Sequence, residues 1–239
     1  MKLRMYFSAA VMAVFAIVSP ATAQTVTDEA QAEVERSAGT MAARYAACLV
    51  AERPSIADIF LAASLGSPER TYAFNALVPV EDNDCTSFAT APDGQDLQIP
   101  ETILTGYIAE ARYFVRFPSG PPPLIASSAP ATTSDEEIAE RLAAAPNPAL
   151  EFPRIFGDCV VRLRAPDVDR LVRTQPGTPE EAAVLGALQP SLGQCLWSGQ
   201  TLEFSRETLR AALADALYRR GLVAVAPDPD AAAEPEPSR

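Results

Sequence analysis

The stretch 177–195, GTPEEAAVLGALQPSLGQC, echoes the stretch 66–85, GSPERTYAFNALVPVEDNDC, and both end on a cysteine. Extended backwards at a constant offset of 111, residues 48–79 lie on residues 159–190 with ten identities in 32 positions. Cys48, Val50, Arg53, Asp58, Gly66, Pro68, Glu69, Ala76, Leu77 and Pro79 match Cys159, Val161, Arg164, Asp169, Gly177, Pro179, Glu180, Ala187, Leu188 and Pro190. Chance would give about two or three in a chain this rich in alanine. Beyond the second cysteine the match resumes at an offset of 105, where Leu97, Leu104, Ala109, Ala111 and Tyr113 meet Leu202, Leu209, Ala214, Ala216 and Tyr218. The change of offset leaves six additional residues in the first copy, around EDND and ATAPDGQD. Each copy is roughly 65 to 70 residues long, somewhat above the common solenoid periods, and must be a supersecondary unit in its own right.

Local signals make those units helical. Ser67 and Thr178 are followed by Pro68 and Pro179 and then by Glu69 and Glu180: an N-cap, a proline at the first helical position and an acid in the first turn. Val184, Leu185 and Leu188 then recur at helical spacing, as do Phe74, Leu77 and Val78. Proline at 79 and 190 is expected to close each of these helices. In the last helix of the second copy Leu209, Leu213, Ala216 and Leu217 form an apolar stripe with Arg206, Arg210 and Asp215 off it; Leu104, Ile108 and Ala111 do the same in the first. The reading is an all-α fold: two tandem disulfide-stapled helical repeat units joined by a Pro/Ser-rich linker.

Cysteine usage fits that reading. Four cysteines allow three pairings. If each unit once folded alone, its own cysteines are partners, which selects Cys48 with Cys85 and Cys159 with Cys195. Each bridge closes a loop of nearly forty residues, which on the chain-entropy account stabilises by about 4 kcal/mol. That matters for units whose cores are marginal in size.

The chain begins with Lys2 and Arg4, an apolar run MYFSAAVMAVFAIV, and small residues at Ala21 and Ala23. That is a secretory signal peptide, cleaved after Ala23, and the apolar run is too short for the roughly 20 residues that span a bilayer. The mature chain is then periplasmic or secreted, without a membrane span, in a compartment that permits disulfides. The segments are residues 1–23 for the signal, 24–117 for the first unit, 118–148 for a Pro/Ser-rich linker with a short helix, 149–225 for the second unit and 226–239 for a disordered acidic tail. Within the linker Ser134 and Glu137 form a capping-box pattern ahead of Ile138 and Leu142.

Absent residue types exclude chemistries. The chain has no histidine, and its only lysine is Lys2 in the signal segment. Histidine-based triads, histidine metal ligation, Schiff-base chemistry and a phosphate-binding P-loop are therefore out of reach. A formal net charge of -12 argues against nucleic acid, whose binding needs cations to displace counterions. No cofactor or metal is expected. The acidic loop residues Glu81, Asp82, Asp84, Asp93 and Asp96 do not follow EF-hand spacing and read as a solvated loop. Trp197 beside Cys195 reads as packing, and the matched pairs Arg53 with Asp58 and Arg164 with Asp169 read as local structural contacts.

The segments FGDCVVR, GTPEEAAVL and LRAALADALYRR, over residues 156 to 220, resemble small secreted proteins of sphingomonad-like alphaproteobacteria. The resemblance implies location and repeat organisation, and no catalytic residue. The functional expectation is a noncatalytic protein that binds another protein of the cell envelope. A stress-protective, chaperone-like protein and a carboxylate-dependent hydrolase are the alternatives, the last needing two acids across a cleft.

Overall fold

The computed structural model describes residues 21–78, 84–90, 98–123, 134–196 and 204–225, with side chains from Glu33 onward except those of Glu35 and Asp135. The expected signal segment up to Pro20, the acidic loop apart from Asp84, Trp197, residues 124–133 of the linker and the acidic tail lie outside the described residues. Those described form eight α-helices: α1 (Ala21–Glu52), α2 (Pro54–Ala62), α3 (Pro68–Leu77), α4 (Glu101–Arg116), α5 (Asp135–Ala144), α6 (Pro148–Arg173), α7 (Pro179–Gln194) and α8 (Arg206–Val225). A 3-10 turn covers Asp84–Phe88, and there is no strand among the described residues. The fold is all-α.

Local chemistry sets the helix ends. The Ser67 hydroxyl accepts the Arg70 N–H at 3.1 Å, the Thr178 hydroxyl accepts the Glu181 N–H at 3.3 Å, and Ser134 caps α5 through the Glu137 N–H at 3.1 Å. Just before these caps the chain turns through Gly66 and Gly177, whose φ angles are +76° and +74°, a region that costs other residues about 1 to 2 kcal/mol. Between Cys48 and Gly66 the chain breaks at Arg53 (φ -133°, ψ 56°); the matched Arg164 (φ -142°, ψ 39°) kinks α6. A proline follows each break, Pro54 and Pro166, and its missing N–H and ring clash interrupt the helical ladder there.

Pro190 does not end α7, which continues through it to Gln194. The proline forfeits one backbone bond, but Leu188, Ser191 and Cys195 are buried along that last turn, and their packing outweighs the loss. The bridges join Cys48 to Cys85 and Cys159 to Cys195, with Cα atoms 5.6 and 5.7 Å apart.

Among the described residues one hydrophobic core spans both halves: Leu49, Phe60, Leu77 and Ile108 belong to the same cluster as Phe156, Leu171, Leu188 and Leu213. Its centre is the pair α4 and α8. A Cβ on Gly106 would lie 2.2 Å from the Cα of Ala211, and one on Gly221 would lie 2.6 Å from the Phe117 ring. The close approach therefore persists in the same direction along both helices, which run parallel. Gly106 and Ala211 are themselves matched at the offset of 105.

Candidate functional site

A helix packed on several sides buries even its polar positions. Arg210 and Asp215, which the sequence places off the apolar stripe of α8, are 1 % and 5 % exposed, because this stretch of α8 lies between α4 and α6. Burying a charge requires partners, and Arg210 has them. It donates to both oxygens of Glu110 at 3.0 and 2.9 Å and to Glu181 at 3.0 Å. It also donates to the carbonyls of Leu171, Val172 and Thr174, which end α6. Carbonyls at a helix end lack the full set of partners within their own helix, and the Leu171 carbonyl also accepts from the Thr174 N–H at 3.0 Å. Burial works against the Arg210 charge, but the two acids outweigh it and hold the guanidinium above its ordinary pKa. One cation serving two carboxylates leaves Glu110 raised, by burial first and then by the charge of Glu181, against the pull of Arg210.

The first half of the chain solves the same problem from another helix. Arg70 of α3 donates to the Phe60 carbonyl at 2.8 Å, to the Thr105 hydroxyl at 2.8 Å and to Glu101 at 3.1 Å. Phe60 is the sequence match of Leu171, Arg70 of Glu181, and Thr105 of Arg210. The guanidinium that closes the end of the second helical segment thus comes from α3 in one half and from α8 in the other.

Two tyrosines tie the halves together. The Tyr113 hydroxyl donates to Asp169 at 2.8 Å, and the Tyr218 hydroxyl donates to Asp58 at 2.9 Å. Tyr113 matches Tyr218 and Asp58 matches Asp169, so the contact is reciprocal. Burial and the adjacent carboxylates raise both phenols. Asp58 is also gripped by Arg112 at 2.8 and 2.6 Å, and Asp169 by Arg173 at 3.0 Å. The expected local pairs do not form: Arg53 donates to the Ala76 carbonyl and Arg164 to Asp167.

An open space of about 340 Å³ lies where α4, α6 and α8 meet, walled by Leu150, Pro153 and Ala212 and edged by Arg70, Arg154 and Asp215. Arg154 Nε donates to Asp215 Oδ2 at 3.3 Å, and Arg219 donates to the same oxygen at 3.1 Å. Arg154 Nη2 and Asp215 Oδ1 are shut off from water and have no hydrogen-bond partner. A smaller space of about 140 Å³ lies between α1 and α4, lined by Gly39, Ala42 and Tyr107. Gly39, Ala42, Ile103 and Tyr107 stand at offsets of 111 or 105 from Leu150, Pro153, Thr208 and Ala212 of the larger one. The Tyr107 hydroxyl is buried without a hydrogen-bond partner and its pKa is raised, chiefly by that burial.

The only set of potential metal ligands among the described residues is Cys48, Glu52 and Cys85, and both sulfurs are bonded to each other. No described helix is long and apolar enough to cross a membrane. Sequence reasoning missed Arg70, Glu110, Glu181 and Arg154 as buried or cavity-edge groups. The available signal was the charge reversal of Arg70 against Glu181 at matched positions. Comparison of the chain with family models, with curated proteins and with solved structures found no match.

Proposed function

We propose that the chain is a noncatalytic, exported protein of the cell envelope that binds another protein through the outer faces of two duplicated helical units. The observation that carries this reading is the use of its interior charges. Arg210 with Glu110 and Glu181, Arg112 with Asp58, and Arg220 with Asp158 each join different helices, so these groups hold the body together. The two acids at the larger cavity, Glu101 and Asp215, are each engaged by arginine, which favours binding over a hydrolase built on a free pair of acids. Export by the leader and cleavage after Ala23 supply the oxidising compartment that two disulfides need. Large apolar side chains stand exposed on separate helices, Tyr72 on α3 at 77 % and Val223 on α8 at 71 %.

The test is a photo-crosslinking residue at 72 or 223 in the exported chain, with capture in the intact envelope. One protein crosslinked from either position, and lost when Tyr72 or Val223 is changed to aspartate, supports the reading. Crosslinks that spread over many envelope proteins, or accumulation of the chain in the cytoplasm with its leader attached, reject it.

A further inference from the structure

We propose that Glu110 and Glu181 between them retain one proton in the folded chain at neutral pH, so that folding takes up a proton and the fold weakens as pH rises. The proposal is independent of protein binding at the outer faces. A count of buried charge carries it. Arg210, Glu110 and Glu181 are 1 %, 7 % and 1 % exposed, and among the described residues Arg210 is the one cation paired with either acid. With both acids ionised the set holds one negative charge in excess, shut off from water. A buried carboxylate without a counter-charge takes up a proton rather than keep its charge.

The groups packed around the set do not supply the missing cation. At the end of α6 the carbonyls of Leu171, Val172 and Thr174, with the Thr174 hydroxyl, turn their oxygens to Arg210 and draw on the same positive charge. On α8, Glu207 stands one turn before Arg210 and adds a further acid near Tyr107. On α4, the Tyr107 hydroxyl is raised by its burial and stays neutral, and Arg112 is spent on Asp58. On α1, Arg36 donates to the Gly177 carbonyl and pairs with Glu33 near the surface.

Of the two acids, Glu110 is the one that keeps the proton. Glu181 lies in the first turn of α7, where the helix dipole favours an anion, and its second oxygen accepts the Gly177 N–H at 2.8 Å. Glu110 stands inside α4 with both oxygens on Arg210, and burial together with the charge of Glu181 raises it in spite of that cation. The matched set in the other half has no such excess. There Arg70 stands at the Glu181 position and pairs with Glu101, while Asp215 stands at the Glu110 position and is engaged by Arg154 and Arg219. A carboxyl raised in the folded state contributes stability that is complete below its unfolded pKa of about 4.3 and is lost as pH rises through the folded value.

The experiment is infrared spectroscopy of the purified, disulfide-bonded chain across pH, with urea unfolding at each pH. The carbonyl stretch of a neutral carboxylic acid, distinct from the carboxylate bands, is expected at neutral pH and is lost as pH rises. Glu110→Gln and Glu181→Gln each bring the buried charges to zero, so either substitution is expected to abolish the band, and one suffices if the other fails to fold. From about pH 4.3 up to the pH at which the band is lost, the unfolding equilibrium constant should rise up to about tenfold per pH unit relative to Glu110→Gln. No neutral-acid band at neutral pH overturns the proposal. A band that survives both substitutions places the proton elsewhere and overturns it as well. A band lost with Glu110→Gln but kept with Glu181→Gln overturns the excess charge as its cause. Equal pH slopes in the unaltered chain and Glu110→Gln overturn the link to stability.

Discussion

At the scale of single residues, the arginines decide what the interior tolerates. Arg210 holds two buried acids and ends α6, so Arg210→Met leaves Glu110 and Glu181 without their cation. Breaking a buried pair in this way costs about 3 to 5 kcal/mol, and a urea titration of the disulfide-bonded chain should show a loss of that size. Arg70→Met should cost less, because its acid partner Glu101 has half of its side chain in solvent. Asp158 provides the pH dependence. Burial pushes its carboxyl up, but the Arg220 hydrogen bonds and the charges of Arg220, Arg162 and Arg219 outweigh that and hold it below its ordinary value. A lowered carboxylate contributes stability that is complete above its unfolded pKa of about 3.9 and is lost as pH falls through the folded value. Asp158→Asn is therefore expected to lower the urea midpoint near neutral pH and to flatten its fall below about pH 4. An unchanged acid slope in the variant would remove Asp158 from the account.

At the scale of elements, the two glycine turns share one backbone conformation in different surroundings. A Cβ on Gly66 meets nothing nearer than Asn147 at 3.8 Å, whereas one on Gly177 lies 2.6 Å from the Cα of Arg36 in α1. Gly66→Ala should thus cost only the left-handed backbone, about 1 to 2 kcal/mol. Gly177→Ala adds a collision with main chain that no rotamer relieves, and its melting temperature should fall clearly further. Equal losses would mean that α1 moves aside freely. The Ser67, Thr178 and Ser134 caps were legible in the sequence, because each depends on neighbours within four residues, whereas the glycines before Ser67 and Thr178 showed there only as matched positions. The passage of α7 through Pro190 was not legible, since it depends on Leu188 and Cys195 finding a core supplied by other helices.

At the scale of the whole molecule, α4 and α8 join the two halves, and Gly106 sets their distance. Gly106→Ala would place a methyl group 2.2 Å from the Cα of Ala211, so the central pair must separate along a contact that both halves share. Overpacking of this kind costs about 1 to 3 kcal/mol and at times more. Melting followed by near-ultraviolet dichroism should show one earlier transition for the entire chain. Gly186→Ala, where a Cβ has open space inside α7, should instead stabilise by up to about 1 kcal/mol through helix propensity. A two-step transition in Gly106→Ala would show that the halves melt independently.

By itself the sequence determined the helical class, the caps and the distribution of four cysteines over two matched segments, because these follow from local conformational preference and from internal similarity. Only the tertiary structure decided that one core spans both halves and that Tyr113 and Tyr218 exchange partners across them. It also decided that Arg210 and Asp215 are interior groups and that a charged cavity opens beside Ala212 but not beside Tyr107. The physical reason is that a side chain's burial depends on how many helices surround its own, and the spacing of apolar residues along one helix reports a single packed face. Where α8 is covered on several faces, that periodicity loses its meaning, and the charges it seemed to place in water become the ties of the interior.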